Sequence, residues 1–317
     1  MALKPEVSGN EVNGLGETER RRPRVVYWAP DPDAIPHGAM QRWFYTNDRD
    51  NTDILAANVE RKAILSEPVP DVVGPPRERD PDTWTAALQD FVEAGACERV
   101  GVAAMRPEWT FEGCNVPERT IIIIGVQHAY DAIAEAPESR AGAEVIRQYG
   151  RAAAAAKRIA GWLRQQGWPA EPVTGPMTGS VALIPPALAC GFGELGKHGS
   201  IINPEFGASF RLSAVLTDAP FAPTPPRDFG IDDFCMKCRV CEEACPPEAI
   251  APEKQTVRGE AKWYVDFDKC LPFFNETRGC AICIAVCPWS RPGAGLNLAE
   301  KLERRRTRKA AEAGAHP

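Results

Sequence analysis

The strongest periodic signal in the chain runs from Glu138 to Gln166. Val145, Ile146, Tyr149, Ala152, Ala153, Ala156, Ile159, Ala160 and Leu163 recur at helical spacing and Gly167 supplies a stop, which predicts one long amphipathic helix. Its consecutive alanines, Ala152–Ala156, allow close approach of something flat or bulky. Apolar runs at Arg99–Met105 and Thr120–Val126 predict buried strands, and Arg24–Trp28, Ser200–Ile202 and Arg211–Leu216 are further strand-like runs. Asp82 predicts the cap of a helix reaching Ala94, ended by Gly95. The alternation of strands and helices over 82–217 points to α/β or α+β.

Elsewhere the pattern breaks down in informative ways. Residues 1–24, rich in Gly, Glu and Arg, read as a disordered lead. Residues 29–80 alternate Pro, Asp and Arg with isolated aromatics, which predicts loops and short helices. Pro220–Pro226 holds four prolines and marks a boundary. The expected division is a core over 25–225, a cysteine-rich module over 226–292 and a basic tail over 293–317, in which Lys301–Lys309 is a solvated helical face.

Composition narrows the function classes. The chain has 317 residues, 44% hydrophobic and 25% charged, with a formal net charge of −6, which is ordinary for a globular protein and excludes a strongly basic nucleic-acid binder. No apolar run is long enough to span a membrane. Arg20–Arg22 invites an export reading, but Val25–Pro30 is too short for the apolar region such a signal needs. The expectation is a cytoplasmic protein.

Cysteine usage changes the picture. Of 11 cysteines, eight lie between Cys235 and Cys287, and clustering of this kind without a secretory context points to metal rather than disulfides. Cys235, Cys238, Cys241 and Cys245-Pro246 follow C-x2-C-x2-C-x3-C-P, and Cys270 precedes Cys280, Cys283 and Cys287-Pro288 after nine intervening residues. The first half is the bacterial ferredoxin run for [4Fe–4S] clusters, in which the fourth cysteine serves the other cluster. One cluster therefore takes Cys235, Cys238, Cys241 and Cys287, and the other takes Cys245, Cys270, Cys280 and Cys283. A pair of zinc ribbons has no use for the third cysteine or the Cys-Pro endings. Cys97, Cys114 and Cys190 lack partners at ligand spacing and read as buried thiols. Trp289, two residues past Cys287, is placed to shield a cluster from water.

The run from Gly193 to Asp218, GELGKHGSIINPEFGASFRLSAVLTD, leads directly into these motifs and resembles the core signature of cobalamin-dependent reductive dehalogenases. The segment Cys270–Gly293 looks most like the soluble, non-respiratory branch. The resemblance covers roughly residues 95–295 and implies an α+β chain: a nitroreductase-like cobalamin-binding core followed by a ferredoxin-like two-[4Fe–4S] module. It implies cobalamin held base-off and without a histidine lower ligand, and the sequence agrees in that none of His37, His128, His198 or His316 sits in Asp-x-His-x-x-Gly. Gly191, Gly193, Gly196, Lys197, His198, Gly199 and Asn203 become candidate cofactor contacts, with the glycines allowing close backbone approach. Tyr149 falls at the position of the family's proton donor, and Arg211 at that of an adjacent arginine. Reductive halide loss leaves a carbon that must be protonated, and a fixed guanidinium favours the phenolate left behind. Where the family has Asn or Lys in the loop after the tyrosine helix, this chain reads Val173–Gly179, with Thr174 or Thr178 as substitutes. Asp131 is a further candidate contact or helix cap.

The implied activity is reductive dehalogenation of a small aromatic organohalide, with a separate ferredoxin, flavodoxin or reductase as donor, since no export signal and no fused flavin or [2Fe–2S] domain is seen. Two rivals remain. One is reduction of a modified tRNA base, as in epoxyqueuosine reductase, against which Tyr149, the short Cys270–Cys280 spacer and the acidic balance argue. The other is an electron carrier with a cofactor-free core.

Overall fold

A computed structural model of the chain describes residues 7–46, 50–175, 177 and 179–314. Before the first strand lie helices α1 (Gly9–Asn13), α2 (Gly38–Thr46), α3 (Thr52–Ser66), α4 (Pro81–Ala87) and α5 (Gln89–Glu93). The core continues through strands β1 (Arg99–Ala104) and β2 (Thr120–Gln127), helices α6 (Tyr130–Ile133) and α7 (Ser139–Gln165), strand β3 (Ala170–Val173), helix α8 (Ile184–Ala189), and strands β4 (Glu194–Leu195), β5 (Ile201–Ile202) and β6 (Phe210–Thr217). The cysteine-rich part holds α9 (Ile231–Lys237), α10 (Val240–Glu243), strands β7 (Gln255–Val257) and β8 (Glu260–Lys262), α11 (Phe267–Glu276), α12 (Ile282–Ala285) and α13 (Ala294–Gly314). Among the described residues no helix is long and apolar enough to cross a membrane.

The central sheet runs β1-β2-β6-β3, antiparallel throughout. Ile121 to Ile124 of β2 are all buried, because helices and loops cover both faces. One face packs on α7, α4 and α5, the other on α8, Trp109 and Phe192. The alanines of α7 are the means of the first contact: Ala152, Ala155, Ala156 and Ala160 lie against the sheet, and Ser213 Oγ of β6 donates to the Ala152 carbonyl at 2.7 Å. The flat object those alanines approach is therefore the sheet itself. The opposite side of α7 takes α3, where a Cβ on Gly150 would stand 3.2 Å from Ile64 Cδ1. Lys157 of α7 caps α3 by donating to the Ile64 and Leu65 carbonyls, both at 2.7 Å, at the end where a cation suits the helix dipole.

Several expectations are corrected. Residues 8–22 are ordered, not a disordered lead; residues 1–6 lie outside the described residues. Ser8 caps α1, Gly9 N donates to Asp268 Oδ1 at 2.7 Å and Asn10 Nδ2 to Asp266 Oδ1 at 2.8 Å. Polar bonds hold this segment to α11, so no apolar period announces it. Arg24–Trp28 forms no strand; it runs as irregular chain with Tyr27 buried and Trp28 at φ 66°. The helix expected from Asp82 is capped two residues earlier, at Asp80 with Pro81 following, and breaks at Leu88. Within 29–80 the 15-residue α3 buries only Ile54 and Ala57, too few positions to register as periodic. Strand β3 contains Pro172 and survives as an edge strand. The tail is a helix whose Leu298 and Leu302 pack on the module; the Lys309 side chain lies outside the described residues.

Phe192 explains two glycines within strands. A Cβ on Gly101 would come within 3.1 Å of its ring and one on Gly125 within 2.7 Å, so the phenyl ring fills the hollow both glycines leave. Phe192→Ala should cost about 3–5 kcal/mol, and Gly125→Val should be comparably damaging because nothing yields to the new methyls. Urea denaturation midpoints check both; a shift below a quarter of that size for either variant would contradict the packing.

Candidate functional site

The eight clustered cysteines fall into two spatial groups. Electrostatic coupling links Cys235, Cys238, Cys241 and Cys287, and separately Cys245, Cys270, Cys280 and Cys283, with Cys241 and Cys283 facing across the gap. Burial first, then mutual repulsion, pushes the thiols of Cys235, Cys270 and Cys287 up to about 12, the reverse of what a ligand thiolate needs unless a cationic centre compensates. Among the described residues no three His, Cys, Asp or Glu side chains converge as one metal ion requires.

Local backbone supports the second group. Arg278, Gly279, Cys280 and Ala281 all take positive φ, at 55°, 125°, 46° and 69°. This left-handed turn sets Cys280 just ahead of α12, which carries Cys283. Around the first group, Trp289 is 1% exposed and meets Phe234 edge-on at 5.5 Å, covering Cys287 from solvent.

A cavity of about 1230 Å³ connects core and module, larger than the roughly 300–1,000 Å³ of ordinary small-molecule pockets. Cys245, Cys270, Cys280 and Cys283 line it; none of the first four-cysteine group does. Tyr149 and Arg211 line it as well, brought together from α7 and β6. Arg211 donates from one terminal nitrogen to Tyr149 Oη at 3.1 Å, and its Nε donates to His128 Nε2 at 3.3 Å. With the guanidinium occupying a phenol lone pair, the Tyr149 O–H proton remains available to the cavity. His128, buried, is held well below its ordinary pKa by burial and by Arg211. It is therefore neutral; Nε2 accepts and Nδ1 carries the proton toward Ser209 Oγ, 3.2 Å away.

This His128–Arg211 link was not marked by any motif, since only the pairing of β2 with β6 sets Val126 opposite Arg211 and so brings His128 near it. Gly175 is a second unmarked feature: a Cβ there would lie 2.5 Å from Tyr149 Cε1, so the loop backbone packs directly on the phenol ring. Met177 of that loop accepts a weak bond from Gln41 Nε2 at 3.8 Å. Thr174 is half-buried, and Thr178 lies outside the described residues.

The candidate cofactor contacts divide. His198 and Gly199 line the cavity. His198 is buried, burial pulls its pKa down to about 4, Nδ1 accepts from Ser200 N at 3.2 Å, and Nε2 has no partner. The other five are not among its lining residues. Gly193, at φ 144°, clears Ile202 O in the β4–β5 hairpin; Gly196 clears Ile202's side chain; Gly191 clears Pro225 O. Asn203 donates to Phe192 O at 2.7 Å and accepts from Glu205 N at 2.7 Å, so it is consumed by its own turn. Lys197 faces the module instead. Asp131 is exposed in the first turn of α6, and His316 lies outside the described residues.

The 4Fe-4S dicluster domain family matches residues 234–290. A tetrachloroethene reductive dehalogenase from Desulfitobacterium hafniense is 34% identical over 217 residues, 64% of this chain and 39% of the relative. A trichloroethene reductive dehalogenase from Dehalococcoides mccartyi is 40% identical over 108 residues, 31% of this chain and 18% of the relative. The chain thus spans about two fifths of the length of the first of these relatives. Among solved structures, a reductive dehalogenase described as suggesting a mechanism for B12-dependent dehalogenation superposes with a TM-score of 0.74 at 21% identity, covering 93% of this chain and 46% of that one. An epoxyqueuosine reductase from Leadbetterella byssophila is 31% identical over 121 residues, 33% of this chain and 35% of the relative. Over the matched core and cluster module the chain is a homologue of the reductive dehalogenases and carries their fold, with epoxyqueuosine reductase a more distant relative.

Proposed function

We propose that the chain catalyses reductive dehalogenation of a small aromatic organohalide in a corrinoid-binding, nitroreductase-like core, with electrons supplied through two [4Fe–4S] clusters by a separate protein donor. The observation that carries this reading is one continuous cavity with the Tyr149–Arg211 pair on one wall and four cluster-type cysteines on another. A redox group seated between them has an electron source on one side and a proton source on the other. A tetrapyrrole-sized volume, the unpartnered His198 Nε2–H and the cations Arg20, Arg21, Arg258 and Lys262 along the lining fit a cobalamin with its amides and nucleotide phosphate. Neither cavity histidine offers a free ring lone pair to a metal: His128 Nε2 accepts from Arg211 and His198 Nδ1 from Ser200 N. When bound, cobalamin supplies a low-potential cobalt centre for cleaving the carbon–halogen bond.

The chain's own residues do the rest. Two electrons enter and one proton leaves Tyr149 Oη for carbon as halide departs. Arg211 holds the phenol in place, steadies the phenolate, and is itself oriented by neutral His128. Gly175 lets the loop press on the ring, which restricts the phenol to one rotamer. The eight cysteines hold the clusters as two exchanged sets, the outer one (Cys235, Cys238, Cys241, Cys287) feeding the inner one, whose ligands reach the cavity. Trp28, Phe44 and Tyr45 supply an apolar, aromatic stretch of lining suited to an aromatic substrate.

Anaerobic reconstitution with iron, sulfide and cobalamin should give about eight irons, two four-iron cubanes, and one corrinoid per chain. Tyr149→Phe should lower turnover of a halogenated phenol by about 10²–10⁴ while retaining corrinoid; full activity in that variant removes the tyrosine from the chemistry. Cys283→Ser should cost roughly half the iron and leave the Cys235 group's signal intact. Gly175→Ala should reduce kcat more than it raises KM, because it moves the phenol rather than the pocket. Eight irons without retained corrinoid would favour a simple electron carrier.

A further inference from the structure

One buried cation has no part in this chemistry. The Lys197 side chain is 2% exposed, and its ammonium lies 3.3 Å from Glu242 Oε2 and 5.2 Å from the centre of the Trp263 ring. Burying an ammonium is costly unless it is paired, and here the pair sits in the module although the lysine belongs to the core's β4–β5 hairpin. The ring under it, Trp263, packs with Cys235 and Cys287, so the ammonium sits against the wall of the first cysteine group. Glu242, next to Cys241 in α10, bonds Lys197 on one side and Arg239 at 3.1 Å on the other. The second ammonium over Trp263, Lys254 at 5.7 Å, is neutralised by Asp232 at 2.6 Å.

A cluster gains one negative charge on reduction, so a fixed cation beside its thiolates favours the reduced form, while a carboxylate opposes it. We propose that Lys197 is a positioning residue that raises the reduction potential of the cluster held by Cys235, Cys238, Cys241 and Cys287, with Glu242 as the opposing charge that limits the rise. The proposal rests on the reading of the eight cysteines as ligands to two clusters. The hairpin between sheet and cavity thereby gains a second role, because the core sets how readily the outer cluster accepts an electron from its donor.

The test is an EPR-monitored redox titration of the full chain reconstituted anaerobically with iron and sulfide. Lys197→Met should move the midpoint of one cluster to more negative potential by about a tenfold change in its reduced-to-oxidised ratio, about 59 mV for one electron, leaving the other cluster in place. Glu242→Gln should move the same cluster in the positive direction, and Lys197→Arg should stay near the parent value. If Lys197→Met loses iron, the sign of the Glu242→Gln shift decides alone. Unchanged midpoints, shifts of the wrong sign, or equal shifts of both clusters overturn the proposal. A parent chain with about four irons would instead overturn the two-cluster reading and leave these shifts without an object.

Discussion

The contact on which the molecule's geometry turns is Phe192 against the glycines of β1 and β2. The ring is fully buried, and Gly101 and Gly125 leave it room on the sheet face. Phe192 is also the anchor of the segment that carries Gly193 into the hairpin, Lys197 to the module, and His198 and Gly199 to the cavity wall. Its carbonyl is held by Asn203, so both ends of the hairpin are tied to one spot. A shift of that ring would move the outer thiols and the cavity lining together. Within the glycine-rich run, Gly191, Gly193 and Gly196 are there because Pro225 and Ile202 leave no space for a Cβ, while His198 and Gly199 line the cavity.

This distinction marks where the sequence was legible. The two cysteine runs announce their chemistry because spacing alone brings three thiols around a tight loop, and α7 announces itself because one continuous face is apolar. The pairing of Tyr149 with Arg211 was reachable only through resemblance, since the two residues lie on different elements and nothing local links them. His128 was invisible for the same reason: its role comes from β2–β6 register. The amino-terminal segment misled because it is held by Asp266, Asp268 and a bridge from Leu15 to Val257, bonds to partners far along the chain that composition cannot reveal. Ala152–Ala156 misled in the other direction. Small side chains report close approach without saying what approaches, and here it is the sheet.

Charge is distributed against the protein's overall sign. The chain carries −6, yet the cavity is lined by several arginines and the outer thiols have a lysine buried beside them. Burial makes some of these cations costly, as the lowering of Arg258 and Lys262 by desolvation shows. Such positions are retained when an anionic group offsets the cost, and thiolate-bound clusters and a phosphate-bearing cofactor are groups of that kind. Burial likewise raises the thiols of both cysteine sets, a cost that a bound cationic centre would offset.

The two charge carriers of the proposed reaction reach the cavity by routes that do not cross. In that proposal electrons would come through α10 and α12, which carry Cys241 and Cys283; the proton would come from Tyr149 of α7, held by Arg211 of the inner strand β6. Keeping the routes apart matters because a proton source in contact with a low-potential cluster would invite reduction of the proton itself. Arg211 enforces the separation. By bonding the phenol oxygen and the His128 ring at once, it fixes a neutral imidazole behind the donor and leaves the phenol's proton only the cavity to face. In the proposed reaction, selectivity for protonating carbon would then follow from where one guanidinium is anchored, on a strand whose register is set by its pairing with β2.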